Sequence, residues 1–363
     1  MSDRPTVRPD IALIPGYHSA QVDVEVRLNT NEAPEPPPSG FAERLGAALA
    51  EVDWHRYPDR GADQLRRRIA EVEGAARGQV FAANGSNEVL QSLMLAYGGP
   101  GRCAVTFEPT YALHSHISRV CGTEVVEVDR RDDFTLDLDA ATAAIERSRP
   151  SVVFLCSPNN PTGRVEDRPT VEAVLEATRA VGGLLVVDEA YAQFAPWSAL
   201  DLVDEDTPLV VTRTFSKTWS MAGVRLGYLI GPTWIVAELE KVVLPYHLDV
   251  MTQLAGTIAL DAVEEMNARV AALVEERGRV VAALAELDVD QWPSGANFVL
   301  FRPRGRYGAD VWRGLVDRSV LVRDCSSWPR LDGCLRVTIG TRDEDDRFLA
   351  ALSEVLRERG EAR

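Results

Sequence analysis

The chain has 363 residues, 45% hydrophobic and 26% charged, with a formal net charge of −16 at pH 7. That length supports two ordinary domains or one large one, and the acidic balance argues against nucleic acid or an anionic membrane surface as partner. Five cysteines (103, 121, 156, 325, 334), an odd number without a C-x-x-C pair, fit reduced thiols and a cytoplasmic setting. Met1-Ser-Asp-Arg-Pro5 has no apolar signal core, and no apolar run is long enough to span a bilayer.

In chain order, the first forty residues are extended and proline-rich, ending in Glu35-Pro-Pro-Pro38, and read as an arm rather than as core. Helical spacing follows over 42–52, 63–74 and 87–97, the last entered from Asn84-Gly-Ser86. From Cys103 onward, short β-branched runs alternate with helical ones. Strands are expected at 104–107, 125–128, 151–156, 184–187, 209–212 and 226–230, and helices at 111–120, 138–147, 170–181 and 234–243. This alternation predicts an α/β fold: a mostly parallel sheet with helices on both faces. The near-continuous apolar strands agree, since strands buried on both faces read that way. Residues 252–287 form a long helical tract, expected to bend. Strands at 297–301, 320–322 and 335–339 and helices at 309–318 and 343–359 then describe a smaller α+β domain. The expected division is a large domain over 50–262 and a small one built from both chain ends, 1–49 and 263–363.

Three polar punctuations follow apolar runs at almost even spacing: Ser157-Pro-Asn-Asn160-Pro-Thr-Gly163, Val187-Asp188-Glu-Ala-Tyr191 and Val211-Thr-Arg-Thr-Phe-Ser-Lys217. Pyridoxal phosphate needs such a set: an amine for its aldehyde, a carboxylate for its ring nitrogen, and donors for its phenolic oxygen and phosphate. Lys217 is the amine, and a neighbouring cation such as Arg225 would lower its pKa. Asp188, at the end of a buried strand, is costly there unless paired, and strand C-termini are where open α/β sheets bind ligands. Asn160 and Tyr191 are candidate donors to the phenolic oxygen, although an Asn-Pro turn by itself is ordinary turn chemistry. Gly85-Ser86-Asn87 opens a helix whose backbone N–H groups can cradle an anion, with Ser216 and Arg225 completing a phosphate cup; the bland alternative is a plain N-cap. Tyr111 stacks on the ring or packs in the core. Arg323 and Arg336 suit a carboxylate or phosphate, or else a surface ion pair. His114 and His116 are badly spaced for a shared metal. No zinc or calcium spacing, Walker-type motif or G-x-G-x-x-G occurs, so no metal is expected.

Together, Asn29-Thr-Asn-Glu32, Arg56-Tyr-Pro-Asp59, Asn84-Gly-Ser-Asn-Glu88, Pro158-Asn-Asn-Pro-Thr-Gly163, Asp188-Glu-Ala-Tyr191, Thr214-Phe-Ser-Lys217 and Leu335-Arg-Val-Thr-Ile-Gly-Thr341 resemble a fold-type I pyridoxal-phosphate aminotransferase. Within that superfamily the pattern is most similar to the histidinol-phosphate aminotransferases, and it runs nearly the full length. The resemblance implies that Lys217 bonds the cofactor aldehyde, Asp188 pairs with the ring nitrogen, Asn160 and Tyr191 with the phenolic oxygen, and Tyr111 stacks on the ring. It implies that Gly85, Ser86, Asn87, Ser216 and Arg225 hold the phosphate, and that Tyr57 reaches the cofactor of a neighbouring subunit in a homodimer. Tyr17, in Pro15-Gly-Tyr-His-Ser19, would line the substrate anion site with Asn29, Arg323 and Arg336. Two departures stand out. Asn87 occupies a position where many members carry aspartate, and the loop Cys325-Ser-Ser-Trp-Pro-Arg-Leu331 has no match. The implied reaction exchanges an amino group between L-histidinol phosphate and 2-oxoglutarate, giving imidazole acetol phosphate and glutamate. The rivals are an aromatic amino acid aminotransferase, a threonine-phosphate decarboxylase and a non-catalytic binding module.

Overall fold

The structure is a computed structural model that describes residues 5–12, 14, 16 and 22–358. Among them are twelve strands: β1 (Val26–Leu28), β2 (Val80–Ala83), β3 (Cys103–Glu108), β4 (Glu124–Asp129), β5 (Val152–Cys156), β6 (Leu184–Asp188), β7 (Leu209–Thr214), β8 (Gly227–Ile230), β9 (Val289–Gln291), β10 (Phe298–Pro303), β11 (Val320–Asp324) and β12 (Leu335–Thr338). They form a seven-stranded sheet ordered β2-β8-β7-β6-β5-β3-β4 and a five-stranded sheet ordered β1-β11-β12-β10-β9.

The large sheet is the expected α/β layer. Strands β3 to β7 run parallel, and β8 lies antiparallel to both of its neighbours, β2 and β7. Every residue of β5, β6, β7 and β8 is buried, because helices cover both faces and no position faces water. Strand order reverses between β3 and β5: β4 lies outward of β3, while β5 to β7 extend the other way. Such a switch opens a crevice at the carboxyl ends of the strands. The segments carrying Tyr111, Asn160, Asp188 and Lys217 all leave the sheet at that end.

The long tract after Met251 bends as expected. Helix Val250–Ala259 passes through a single 3₁₀ turn, Leu260–Ala262, into helix Val263–Ala285. The second helix joins two cores. Its Met266 and Val270 pack with Phe215, Tyr228 and Phe298, and its Val280 and Leu284 pack with Phe301, Val337 and Phe348. Phe41 and Leu45 of helix Phe41–Ala50 pack on the first of these clusters.

The structure corrects the reading of the first forty residues as an arm outside the core. Val26 and Leu28 are buried, and β1 pairs in parallel with β11 in the register Val26↔Val320. Strands β2 and β9 were likewise not anticipated. A run of three or four residues is too short to show alternation, and the partners lie far away in the chain, as in Val80↔Ile230.

Candidate active site

A cavity of about 400 Å³ opens at the carboxyl ends of the large sheet and is closed on another side by the small one. Fourteen of the residues singled out from sequence divide cleanly. Asn29, Ser86, Asn87, Tyr111, Asn160, Asp188, Tyr191, Ser216, Lys217, Arg225, Arg323 and Arg336 all line this cavity. Gly85 sits beside it against Arg225. Tyr57 does not line it: the ring is 79% exposed and stacks on Tyr246 at 4.4 Å. Tyr17, the remaining candidate, lies outside the described residues.

Lys217 follows β7 in a tight turn, where Ser216 N donates to Thr214 Oγ1 at 3.1 Å. Its Nζ donates to the Thr30 carbonyl at 2.8 Å. Burial first, then the positive charge of Arg336, lowers the Lys217 pKa to about 7; Glu32 pulls the other way and Arg225 adds a smaller push downward. Desolvation disfavours an ammonium, so a substantial share is free amine near neutrality. Arg225 acts in the expected direction, but Arg336 has the larger effect.

Asp188 is the last residue of β6. Alternation along a strand sends Asp188 and Glu189 opposite ways: Glu189 turns to a buried pair with Arg213 of β7 at 2.9 Å, while Asp188 faces the cavity. The Asp188 carboxylate accepts from Ala190 N at 3.2 Å and from Thr212 Oγ1 at 3.3 Å, and its Oδ2 lies 2.9 Å from His114 Nε2. His114 is fully buried and stacks on Phe154, ring centroids 4.8 Å apart. It was considered in the sequence only as a metal ligand. Its partner is 74 residues away, and no local pattern signals the contact.

Tyr191 accepts a hydrogen bond from Asn31 Nδ2 at 2.9 Å, and burial pushes its pKa up to about 12. The hydroxyl therefore keeps its proton and remains a donor. Asn31 had no role assigned from sequence; it also accepts from Thr338 Oγ1 at 3.0 Å. Asn160 Oδ1 accepts from Arg336 Nη1, and Arg336 Nη2 donates to the Asn29 carbonyl at 3.0 Å. The buried Asn29 Oδ1 meets no hydrogen-bond partner among the described residues. Tyr111 precedes helix Leu113–Val120 instead of opening it, and its hydroxyl donates to Asn87 Oδ1 at 3.1 Å.

The anion cradle is built by close approach. Helix Gly85–Tyr97 presents its N-terminus to the cavity through Ser86 and Asn87. A Cβ on Gly85, whose φ is +79°, would stand 2.7 Å from Arg225 Nη2, and one on Gly227 would stand 2.2 Å from Ser86 N. Only glycine at both positions lets the helix end, β8 and the guanidinium converge. Arg225, itself left-handed at φ 60°, donates to Ser216 Oγ at 3.4 Å and to the Ala222 carbonyl at 3.0 Å. Backbone N–H groups, a hydroxyl and a guanidinium thus surround one point, a donor set suited to phosphate.

An amine near neutrality, a buried carboxylate set against an imidazole, an anion cradle and two further arginines share one cavity. Comparison with known proteins gives the family of the chain. The model of the family described as aminotransferase class I and II matches residues 24–352, and the chain belongs to that family. In particular, it is similar to the histidinol-phosphate aminotransferase of Frankia casuarinae, 46% identical over 355 residues that cover 94% of this chain and 87% of the relative. That of Rhodococcus jostii is 45% identical, with 93% of this chain and 90% of the relative covered. Among solved structures, the histidinol-phosphate aminotransferase from Sinorhizobium meliloti in complex with pyridoxal-5'-phosphate has the same fold. Its TM-score is 0.88 at 24% identity, over 98% of this chain and 99% of that one.

Proposed function

We propose that this chain is a pyridoxal-phosphate-dependent aminotransferase that moves the amino group of L-histidinol phosphate to 2-oxoglutarate, giving imidazole acetol phosphate and glutamate in histidine biosynthesis. The observation that carries the chemistry is the Lys217 amine, lowered to a pKa of about 7 in the same cavity as Asp188 and the anion cradle. The relatives' identity over nearly the whole chain supports the substrate.

Bound pyridoxal phosphate supplies an aldehyde for an amine and a protonated ring that takes up the electrons of a substrate carbanion. Ser86, Asn87, Ser216 and Arg225 hold its phosphate. Asp188, oriented by His114 and Thr212, would pair with the ring nitrogen and keep it protonated. Asn160 and Tyr191 donate to the phenolic oxygen. Lys217 would bond the aldehyde, and its Nζ, when free, would move a proton on and off the substrate carbon as general base and acid. Arg336, with Arg323 beside it, binds the substrate's anion, the phosphate monoester of histidinol phosphate or the α-carboxylate of glutamate, since a guanidinium fork fits either. Imidazole acetol phosphate leaves before 2-oxoglutarate enters, and glutamate leaves last, so the two half-reactions alternate at one site.

A second copy of the chain is part of this reading. Tyr57 stacks with Tyr246, and Trp54, Leu244 and Met251 are also exposed, at 62%, 77% and 49%. In a homodimer these residues are covered and Tyr57 reaches the partner's cofactor phosphate. No helix among the described residues is long and apolar enough to cross a membrane. The five cysteines are all free, which supports the cytoplasm, where thiols stay reduced.

The test is spectroscopic. L-Histidinol phosphate is added without any keto acid to cofactor-loaded protein, and the visible absorption of the cofactor is followed. Loss of that band at low substrate, with its return on adding 2-oxoglutarate, is expected. Loss with phenylalanine or tyrosine alone would make the chain an aromatic aminotransferase, and release of CO₂ from threonine phosphate would make it a lyase.

A further inference from the structure

The loop after Arg323 takes no part in the reaction described above, yet its Trp328 lines the cavity. Arg323 of β11 and Arg336 of β12 are direct cross-strand partners in an antiparallel pair. Residues so placed share a face with Cβ atoms about 4.5–5.5 Å apart, and like charges there repel. Arg336 is well anchored: it is buried, it donates to Asn160 and to the Asn29 carbonyl, and its Cζ lies 5.0 Å from the centroid of the Phe298 ring. Both guanidiniums also meet one indole. The Arg323 Cζ lies 5.6 Å from the Trp328 ring centroid and the Arg336 Cζ 6.0 Å from it, within range of cation–π attraction, for which tryptophan is the strongest partner. The indole is itself held in place. Trp328 N donates to the Cys325 carbonyl at 3.0 Å, Leu331 N donates to the Trp328 carbonyl at 3.2 Å, and the ring packs on the cluster of Phe134, Leu300, Cys325, Leu331 and Cys334.

We propose that Trp328 is a specificity-determining positioning residue: it holds the Arg323 guanidinium beside that of Arg336 and so favours a phosphate monoester over a carboxylate. The inference rests on the proposed function and names what selects its amino donor. A carboxylate has one charge and two oxygens, which the fork of Arg336 matches alone. A phosphate monoester has close to two charges and three terminal oxygens, and one fork leaves part of that unpaired. The second guanidinium answers it, but against repulsion from the first. Without the indole, the attraction that offsets the repulsion between the two cross-strand guanidiniums is lost, Arg323 moves away from Arg336 and the phosphate loses its second partner.

Trp328→Leu and Trp328→Phe test this in the cofactor-loaded enzyme. Single-turnover loss of the cofactor band is titrated separately with L-histidinol phosphate and with L-glutamate. In Trp328→Leu the half-saturating concentration of histidinol phosphate is expected to rise about tenfold and that of glutamate less than about threefold. The limiting rates should not change, and Trp328→Phe, which keeps a π face, should recover most of the loss. Inorganic phosphate, as a competitor of glutamate, should also inhibit Trp328→Leu more weakly than wild type. Equal losses for the two substrates, or a loss confined to the limiting rate, would overturn the proposal, because the ring would then only support the loop. A wild-type enzyme that converts with glutamate but never with histidinol phosphate overturns the functional reading and this proposal with it. A wild type that uses both, beside a Trp328→Leu of unchanged selectivity, overturns the proposal alone.

Discussion

The cavity has two walls built in different ways. One takes Tyr111, Asn160, Asp188 and Lys217 from the ends of β3, β5, β6 and β7, neighbouring parallel strands of a single sheet. The other joins Arg323, Trp328 and Arg336 to residues 29–31, which precede them by roughly 300 positions. On the first wall each group stands at or just after the end of its own strand. On the second, position depends on the register of β1, β11 and β12 and on one loop. In the proposed function the first wall carries the reaction and the second the choice of substrate. A change in the loop can therefore retune selectivity while the chemistry stays intact.

Lys217→Ala strikes the first wall and should have the largest effect. Loss of the proton shuttle alone is expected to slow single turnover by roughly 10²–10⁴-fold, with the cofactor still bound by its absorption. A variant within tenfold of wild type would move the proton transfer to another group. Arg336→Ala strikes the second wall. Removing hydrogen bonds to a charged group should raise the half-saturating concentrations of both histidinol phosphate and glutamate by about 10–100-fold, leaving the cofactor's absorption unchanged. If glutamate alone suffers, the two anions do not share a site and the comparison between the walls breaks.

The smallest effect concerns stability. The Lys217 pKa falls from its ordinary 10.5 to about 7 in the folded chain without cofactor. Between those values the unfolded chain holds a proton that the folded one has released, so stability rises with pH through that window. Below pH 7 the folded chain bears the full cost of a buried ammonium. Lys217→Met in the cofactor-free form should therefore melt a few degrees above wild type near pH 6, with the gap closing toward pH 10. A gap independent of pH would mean that the amine is not held in a desolvated site.

The sheet wall was legible in the sequence because its signals are local. Leu184–Asp188 shows an unbroken apolar run that stops at a carboxylate, and Leu209–Thr214 leads directly into Ser216-Lys217. Strand burial, turn chemistry and the glycine at a helix start are all read within a few neighbouring residues, and the order of these segments implies the parallel sheet. Arg336 and Arg323 were legible as residues suited to anions, but not as a cross-strand pair around one indole. Tyr57 was named through resemblance, and the fold leaves it on the surface, outside the cavity of its own chain. The contacts of His114 with Asp188, Asn31 with Tyr191 and Trp328 with two arginines appear only in the tertiary structure, as does the place of Val26–Leu28 in the small sheet. Each joins side chains or strands from separate elements whose meeting depends on how those elements pack, and no short-range pattern of residue types encodes that packing. By itself the sequence determined which strands form and which reactive groups stand at their ends, because these follow from burial and backbone geometry along a few residues. The tertiary structure decided what orients those groups and which anion they meet, because those depend on distances across the cavity.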